Sequence, residues 1–159
     1  GLLATAADFA ICWAPTINSY KRYQPGSWAP TAIGWGMDNR TLGFRVVGHG
    51  QGMRVESRVP GADCNPYLAL AATIAGGLHG IEQGLTAGDP FTGNGYEADL
   101  PRIPHTLVDA IDLFRSSALA KDAFGEEVHW HLLHMAEAEW SAFNSVVTDW
   151  ELRRNFERL

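Results

Sequence analysis

The sequence predicts an α+β fold, short antiparallel strands followed by a layer of helices, and three observations carry that prediction. Met53-Arg54-Val55-Glu56-Ser57-Arg58-Val59-Pro60 alternates with period two, which sets Arg54, Glu56 and Arg58 on one face of a strand and Met53, Val55, Ser57 and Val59 on the other. Beyond Pro60-Gly61-Ala62-Asp63 the period changes, and residues 67–75 are apolar on almost every side, the pattern of a buried helix. At 159 residues the chain fits one domain with room for a sizeable core.

Taken in order, Leu2, Leu3, Ala6, Phe9 and Ala10 fall near helical spacing, and Pro15 stops that segment. Residues 16–30 are rich in loop formers, with a turn at Gln24-Pro25-Gly26-Ser27. Strands are expected at 32–35, 42–47 and 53–59, separated by Gly36-Met37-Asp38-Asn39 and by Gly48-His49-Gly50-Gln51-Gly52. Asn65 or Asp63 caps a long helix starting near Pro66. Gly76, Gly77 and Gly80 weaken that helix, so close packing against another element is expected there. A loop rich in Gly, Asp and Pro follows Gly84, and helices return at 106–114, 117–124, 126–146 and from Asp149. His105, after Pro104, is read as a helix start.

An apolar fraction of 46% and a charged fraction of 19% describe a soluble globular chain. The apolar opening lacks a basic leader, contains Asp8 and is too short for a bilayer. Because it begins with Gly, it reads as a helix cut into. Cys12 and Cys64 are too few for a disulfide scaffold, and a reducing cytoplasm is the expected location. The net charge of −6 is unevenly spread. Residues 1–60 carry six basic side chains against three acidic ones, net +3, which leaves −9 for the rest. That polarity suits small anionic ligands and excludes nucleic acid as the expected partner.

Two guanidinium groups flanking a carboxylate, as in Arg54, Glu56 and Arg58, suit a site for anions and a divalent metal. Spacing alone fits better a solvent-exposed strand face or one with cross-strand ion pairs. Glu127, His131 and His134, with His129 alongside, have the spacing of zinc ligands on one helical face, but a solvated polar face is the stronger reading. Trp130, Trp140 and Trp150 are read as core or subunit-contact residues.

The ordered motifs Asn18-Ser19-Tyr20-Lys21-Arg22, Asp38-Asn39-Arg40-Thr41, Met53 to Pro60 and Asn65-Pro66-Tyr67-Leu68-Ala69 resemble the glutamine synthetase superfamily. The resemblance extends to Thr148-Asp149-Trp150-Glu151. It implies that residues 1–159 are the C-terminal part of a catalytic domain, without the N-terminal domain and the first part of the catalytic domain. It also implies ATP with Mg²⁺ or Mn²⁺, glutamate and a small amine as ligands, and a parent that forms a ring-shaped homo-oligomer. By the same resemblance Glu56 looks like a metal ligand, and Arg58 and Arg22 like arginines that bind the substrate glutamate. Arg40 and Arg45 match the pair implied to contact the γ-phosphate and the nucleotide, Arg40 in a catalytic role, and Arg54 matches an ATP-contacting arginine. Lys21 and Asn18 are read as loop-packing residues.

One position departs from the family pattern. Where ammonia-using members carry a flap glutamate just before Ala-Pro, Gln24-Pro25-Gly26-Ser27-Trp28-Ala29-Pro30 carries Trp28. An indole cannot deprotonate ammonium, but it can wall in a larger amine. The resemblance is therefore to the branch making γ-glutamyl amides of polyamines, ethanolamine or related amines. The competing readings are that Trp28 packs against a neighbouring subunit and ammonium remains the substrate, or that the chain is a non-catalytic scaffold. A single Glu56 is not a metal site, so the fragment alone is expected to be inactive.

Overall fold

The computed structural model describes residues 1–158. The opening segment forms two short helical turns, α1 (Leu2–Thr5) and α2 (Ala10–Trp13), ending before Pro15 as its missing N–H requires. Helix α3 (Ile17–Tyr20) is fixed by a reciprocal cap: Thr16 Oγ1 accepts from Ser19 N at 3.2 Å, and Ser19 Oγ accepts from Thr16 N at 3.0 Å. Three strands follow, β1 (Ala32–Met37), β2 (Leu42–Val47) and β3 (Arg54–Ser57), in the order β1-β2-β3.

The β2–β3 pair is antiparallel, as expected, but β1 pairs with β2 in parallel, Trp35 opposite Phe44 and Met37 opposite Val46. The all-antiparallel expectation is corrected here, because alternation reports which side chains share a face and is blind to strand direction. A tight hairpin is replaced by an extended return through residues 38–41, short for a parallel connection. Asn39 pins it: its Oδ1 accepts from Thr41 N at 3.0 Å, and its Nδ2 donates to Gly93 O at 3.0 Å. The glycines of β1 make room chiefly for the loop after Gly84, since a Cβ on Gly34 would stand 2.7 Å from the Leu100 side chain and one on Gly36 2.6 Å from Phe91 O, with Leu42 of the returning chain at 3.2 Å from each.

The far edge of β1 is covered by the long loop after Gly84. Ile33 N donates to Pro101 O at 2.7 Å, Ile103 N to Thr31 O at 3.1 Å, and Phe91 N to Trp35 O at 2.9 Å. Strand β3 is the opposite edge.

Asn65 caps α4 (Pro66–Glu82), with Oδ1 accepting from Tyr67 N at 2.9 Å and Pro66 in the first turn. Asp63, the other capping option, accepts instead from Ser19 Oγ at 2.6 Å. Ala69, Ala72, Gly76 and Gly80 bury one side of α4, with Gly76 against Leu2 and Thr5 and Gly80 against Gly1. That is the close approach expected of these glycines; Gly77 faces open space. Burial all round is not found: Tyr67, Leu70, Ile74, Leu78 and Ile81 form an exposed stripe on the other side.

Helix α5 (Leu107–Ser116) starts from a Thr106–Asp109 capping box, which leaves His105 outside it. Helix α6 (Ala118–Asn144), capped by Ser117, breaks at Gly125, whose φ of 74° is left-handed, so the two predicted helices meet where glycine tolerates that turn. Helix α7 (Asp149–Asn155) is the last element among the described residues. Phe9, Trp13, Phe114 and Phe124 form the aromatic centre of the core, between the opening helices and α4 to α6. Among the described residues no helix is long and apolar enough to cross a membrane.

Candidate functional site

Register brings the charged side chains together. Arg45 on β2 lies directly opposite Glu56 on β3, and Arg58 N donates to Gly43 O at 2.8 Å, which keeps Arg58 on the same face as Glu56. Arg45 Nη1 donates to Glu56 Oε2 at 2.8 Å, and Arg58 Nη1 donates to Glu56 Oε1. Arg45 also donates through Nε to Asp38 Oδ1 at 2.8 Å. The cross-strand ion pair favoured by spacing and the convergence implied by the resemblance are thus one arrangement.

Arg58 ties this cluster to two loops. Its Nε donates to Arg40 O at 3.1 Å, and its Nη2 donates to Trp28 O at 2.9 Å. Three of its five N–H groups are committed, which leaves one on each terminal nitrogen for a ligand. Trp28 adopts a left-handed φ of 63°, uncommon for a bulky residue. Its carbonyl meets Arg58, and the residue as a whole is 64% exposed. Ser27 braces the turn, Oγ donating to Gln24 O at 2.6 Å.

Partial burial would push the Glu56 carboxyl up, but the hydrogen bonds and charges of Arg58 and Arg45 outweigh it and hold the pKa below the usual value. The hydrogen bond from Arg45, then its charge, holds Asp38 down in the same way. A carboxylate whose pKa is lowered on folding stabilises the fold above its unfolded pKa, and that contribution is lost as pH falls through the folded value. The stability of the chain should therefore decline on acidification below the ordinary values of 4.5 for Glu and 3.8 for Asp. Thermal unfolding followed across this range checks it. Glu56→Gln should flatten the dependence, and an equally steep curve in that variant would assign the acid sensitivity elsewhere.

The other predicted residues are placed as follows. Arg54, opposite Val47, is exposed, and its Nη1 turns to Gly52 O at 3.2 Å without joining Glu56. Arg40 lines a cleft of about 430 Å³ with Trp28, Met37, Asp38 and Phe91, and its side chain makes no hydrogen bond among the described residues. Arg22 stacks 4.9 Å above the Tyr23 ring, and its Nη2 donates to Val59 O, at the end of the β3 segment and adjacent to Arg58. Lys21 lies away from the cluster, with Nζ 5.8 Å from the Phe143 ring centroid. Asp38 enters the sequence reading only as part of the Asp38-Asn39-Arg40-Thr41 motif, with no role of its own; the Asp-Asn step directly before Arg40 was the available turn signal, and in the structure Asp38 has a left-handed φ of 50°.

No group of three or more His, Cys, Asp or Glu side chains able to hold a metal comes together among the described residues. Both Glu56 oxygens accept from arginines, and a divalent ion needs several oxygen donors. The described residues of this chain therefore do not fit a metal centre by themselves. Two of the helical histidines have aromatic or backbone partners instead. His129 is buried, bonded through Nε2 to Phe114 O at 2.8 Å and stacked 4.6 Å from that ring, while His134 stacks on Trp130 at 5.2 Å. Trp140 packs against the core, whereas Trp130 and Trp150 are exposed.

A mixed sheet that presents an Arg-Glu-Arg cluster beside an aromatic loop, backed by a helical layer, defines a catalytic domain of the glutamine synthetase type. The chain belongs to that family: the glutamine synthetase catalytic domain matches residues 1–155. Among its relatives, a γ-glutamylethanolamide synthetase of Streptomyces coelicolor is 56% identical over 159 residues, covering 100% of this chain and 34% of the relative. A glutamate–isopropylamine ligase of a Pseudomonas species is 42% identical over 97% of this chain and 34% of the relative. A glutamine synthetase of Thermus thermophilus is 38% identical over 97% and 36%. In three dimensions, a GmaS/ADP complex superposes with a TM-score of 0.85 at 30% identity, covering 98% of this chain and 38% of that one. The chain thus spans about a third of the length of the curated relatives it matches.

Proposed function

We propose that this chain is the C-terminal part of the catalytic domain of an ATP-dependent glutamate–amine ligase acting on an organic amine. The observation that carries the reading is Arg58, which joins Glu56 to the backbones of Arg40 and Trp28 and so links the anion-binding face to the loop beside which the amine enters. The γ-carboxylate of glutamate takes the terminal phosphoryl group of ATP, ADP leaves, the amine nitrogen attacks the acyl carbon, and phosphate departs with release of a proton. Negative charge spreads over the transferring phosphoryl oxygens, so positioned guanidinium groups are the useful catalysts.

In this chain Arg40, with its side chain free in the cleft, and Arg45, fixed by Asp38 and Glu56, would meet the nucleotide phosphates. Arg54 at the strand edge is a third nucleotide contact. Arg58 and Arg22 would hold the glutamate carboxylate. Glu56, kept ionised between two arginines, fits a metal centre only together with donors that this chain does not supply. The organic amine is supported by Trp28, and by relatives named for ethanolamide and isopropylamine products. The same reading places the parent in the cytoplasm as a ring-forming homo-oligomer and leaves the 159-residue chain inactive alone.

The test is amide formation by the full-length enzyme with ATP, glutamate and, separately, ammonium, putrescine, ethanolamine and isopropylamine. Turnover at least about tenfold more efficient with one organic amine than with ammonium is expected, which corresponds to about 1.4 kcal/mol. Efficient use of ammonium alone would replace this reading with an ammonia-using glutamine synthetase.

A further inference from the structure

Arg22 and Arg58 come from segments far apart in sequence, and two joints hold those segments together. The first is Val59 O, which accepts from Arg22 Nη2 and from Tyr23 Oη, the latter at 2.9 Å. The second is Asp63, in the loop between β3 and α4. Its Oδ2 accepts from Ser19 Oγ at 2.6 Å and from Thr16 Oγ1 at 3.2 Å, the two residues of the reciprocal cap that starts α3. Ser19 is buried, and Arg22 follows shortly after it on the same segment. Behind, the loop is anchored by Gly61 N, which donates to Trp13 O at 3.3 Å.

Asp63 approaches Arg22 without taking its donors. A Cβ on Gly61 would meet Asp63 Oδ1 and stand 3.5 Å from Arg22 Nε, so both side chains close over the same point of the loop, and only glycine leaves them room. Partial burial would push the Asp63 carboxyl up, but hydrogen bonds from Ser19, from its own backbone N–H and from Thr16, and then the charge of Arg22, hold it below the usual value. Among the described residues no hydrogen bond joins Asp63 to Arg22, and the guanidinium spends one donor on Val59 O, which leaves the others for a ligand. Asp63 lies on an exposed loop and fills no part of the core, so its bonds to α3 serve alignment and not packing.

Two guanidinium groups grip a carboxylate only at a set spacing, and a displacement of about 0.5 Å already weakens such a site. We propose that Asp63 is a positioning residue for glutamate: it crosslinks the loop after β3 to α3 and so keeps Arg22 in place beside Arg58. This deepens the ligase reading and rests on it. Asp63 itself touches no substrate; it acts through Arg22.

The test is steady-state kinetics of the full-length enzyme with ATP, glutamate and ethanolamine, comparing wild type with Asp63→Ala, Ser19→Ala and Asp63→Asn. The first two variants break the same joint from opposite sides, and each leaves α3 capped. Without Asp63, Ser19 Oγ keeps its bonds to Thr16 N and Oγ1, both at 3.0 Å; without the Ser19 hydroxyl, Thr16 Oγ1 still accepts from the backbone N of residue 19. The KM for glutamate should rise about tenfold in both, while the KM for ATP and kcat at saturating glutamate stay within about twofold. Asp63→Asn retains an oxygen for Ser19 and should stay within about threefold of wild type. In an Arg22→Gln background Asp63→Ala should add less than about twofold, because the residue through which it acts is gone. A glutamate KM within twofold of wild type in both joint-breaking variants, an equal rise in the KM for ATP, or an undiminished effect in the Arg22→Gln background would overturn the assignment of Asp63 and leave the ligase reading in place. A wild-type enzyme that forms no amide from glutamate would overturn both.

Discussion

Under the proposed ligase reading, replacing Arg58 by Lys in the full-length protein should lower kcat/KM by about 10²–10³, the loss typical when one preorganised donor of charge stabilisation is removed. Arg58 reaches three acceptors at once through three different nitrogens: Glu56, the carbonyl of Arg40 and the carbonyl of Trp28. A lysine ammonium is a single point on a flexible stem and cannot span that fork, so its positive charge alone does not rescue the site. The Trp28 loop loses its tie to the sheet and Arg40 loses its brace, while Glu56 keeps Arg45. Both kcat and the amine KM should therefore change. Steady-state kinetics check this, and a variant within about threefold of wild type would show that the three contacts do not matter to catalysis.

The largest effect on stability is expected at Trp13. Its side chain is fully buried, its ring packs edge-on against Phe9 at 6.5 Å, and its Nε1 donates to Ala69 O at 3.2 Å, which ties α2 to α4. Trp13→Ala removes that packing and opens a cavity, costing roughly 3–5 kcal/mol, a large share of the roughly 5–15 kcal/mol that holds a domain together. Trp13→Phe, which keeps an aromatic ring and loses the indole N–H, should lie between. Denaturant midpoints of the three proteins measure the series, and an alanine variant within about 1 kcal/mol of wild type would place the weight of the core elsewhere.

Much of this was legible residue by residue. Pro15, Asn65, Thr106 and Gly125 mark helix ends through local chemistry, namely a missing N–H, a capping oxygen, a capping box and a left-handed φ, and the helices stop or start there. The period-two run identified β3 and the face that Glu56 and Arg58 share. The strand direction of β1, the exposed stripe of α4 and the burial of His129 were not legible, because each depends on what another part of the chain covers. Apolar character predicts a preference for burial but cannot say whether a partner surface is present.

From its sequence alone the chain determined the starts of the helices at Pro66 and Leu107, the break at Gly125, the alternating face of β3 and the family motifs, since these follow from covalent geometry and residue chemistry over a few positions, whereas the split of the opening helix and the short helix at Ile17–Tyr20 were not legible. Tertiary structure decided that β1 runs parallel to β2, that Arg45 rather than Arg54 partners Glu56, and that Arg58 spends three donors on Glu56 and two distant carbonyls. The reason is physical: hydrogen bonds and ion pairs act over about 3 Å, and only the folded chain brings residues far apart in sequence within that reach.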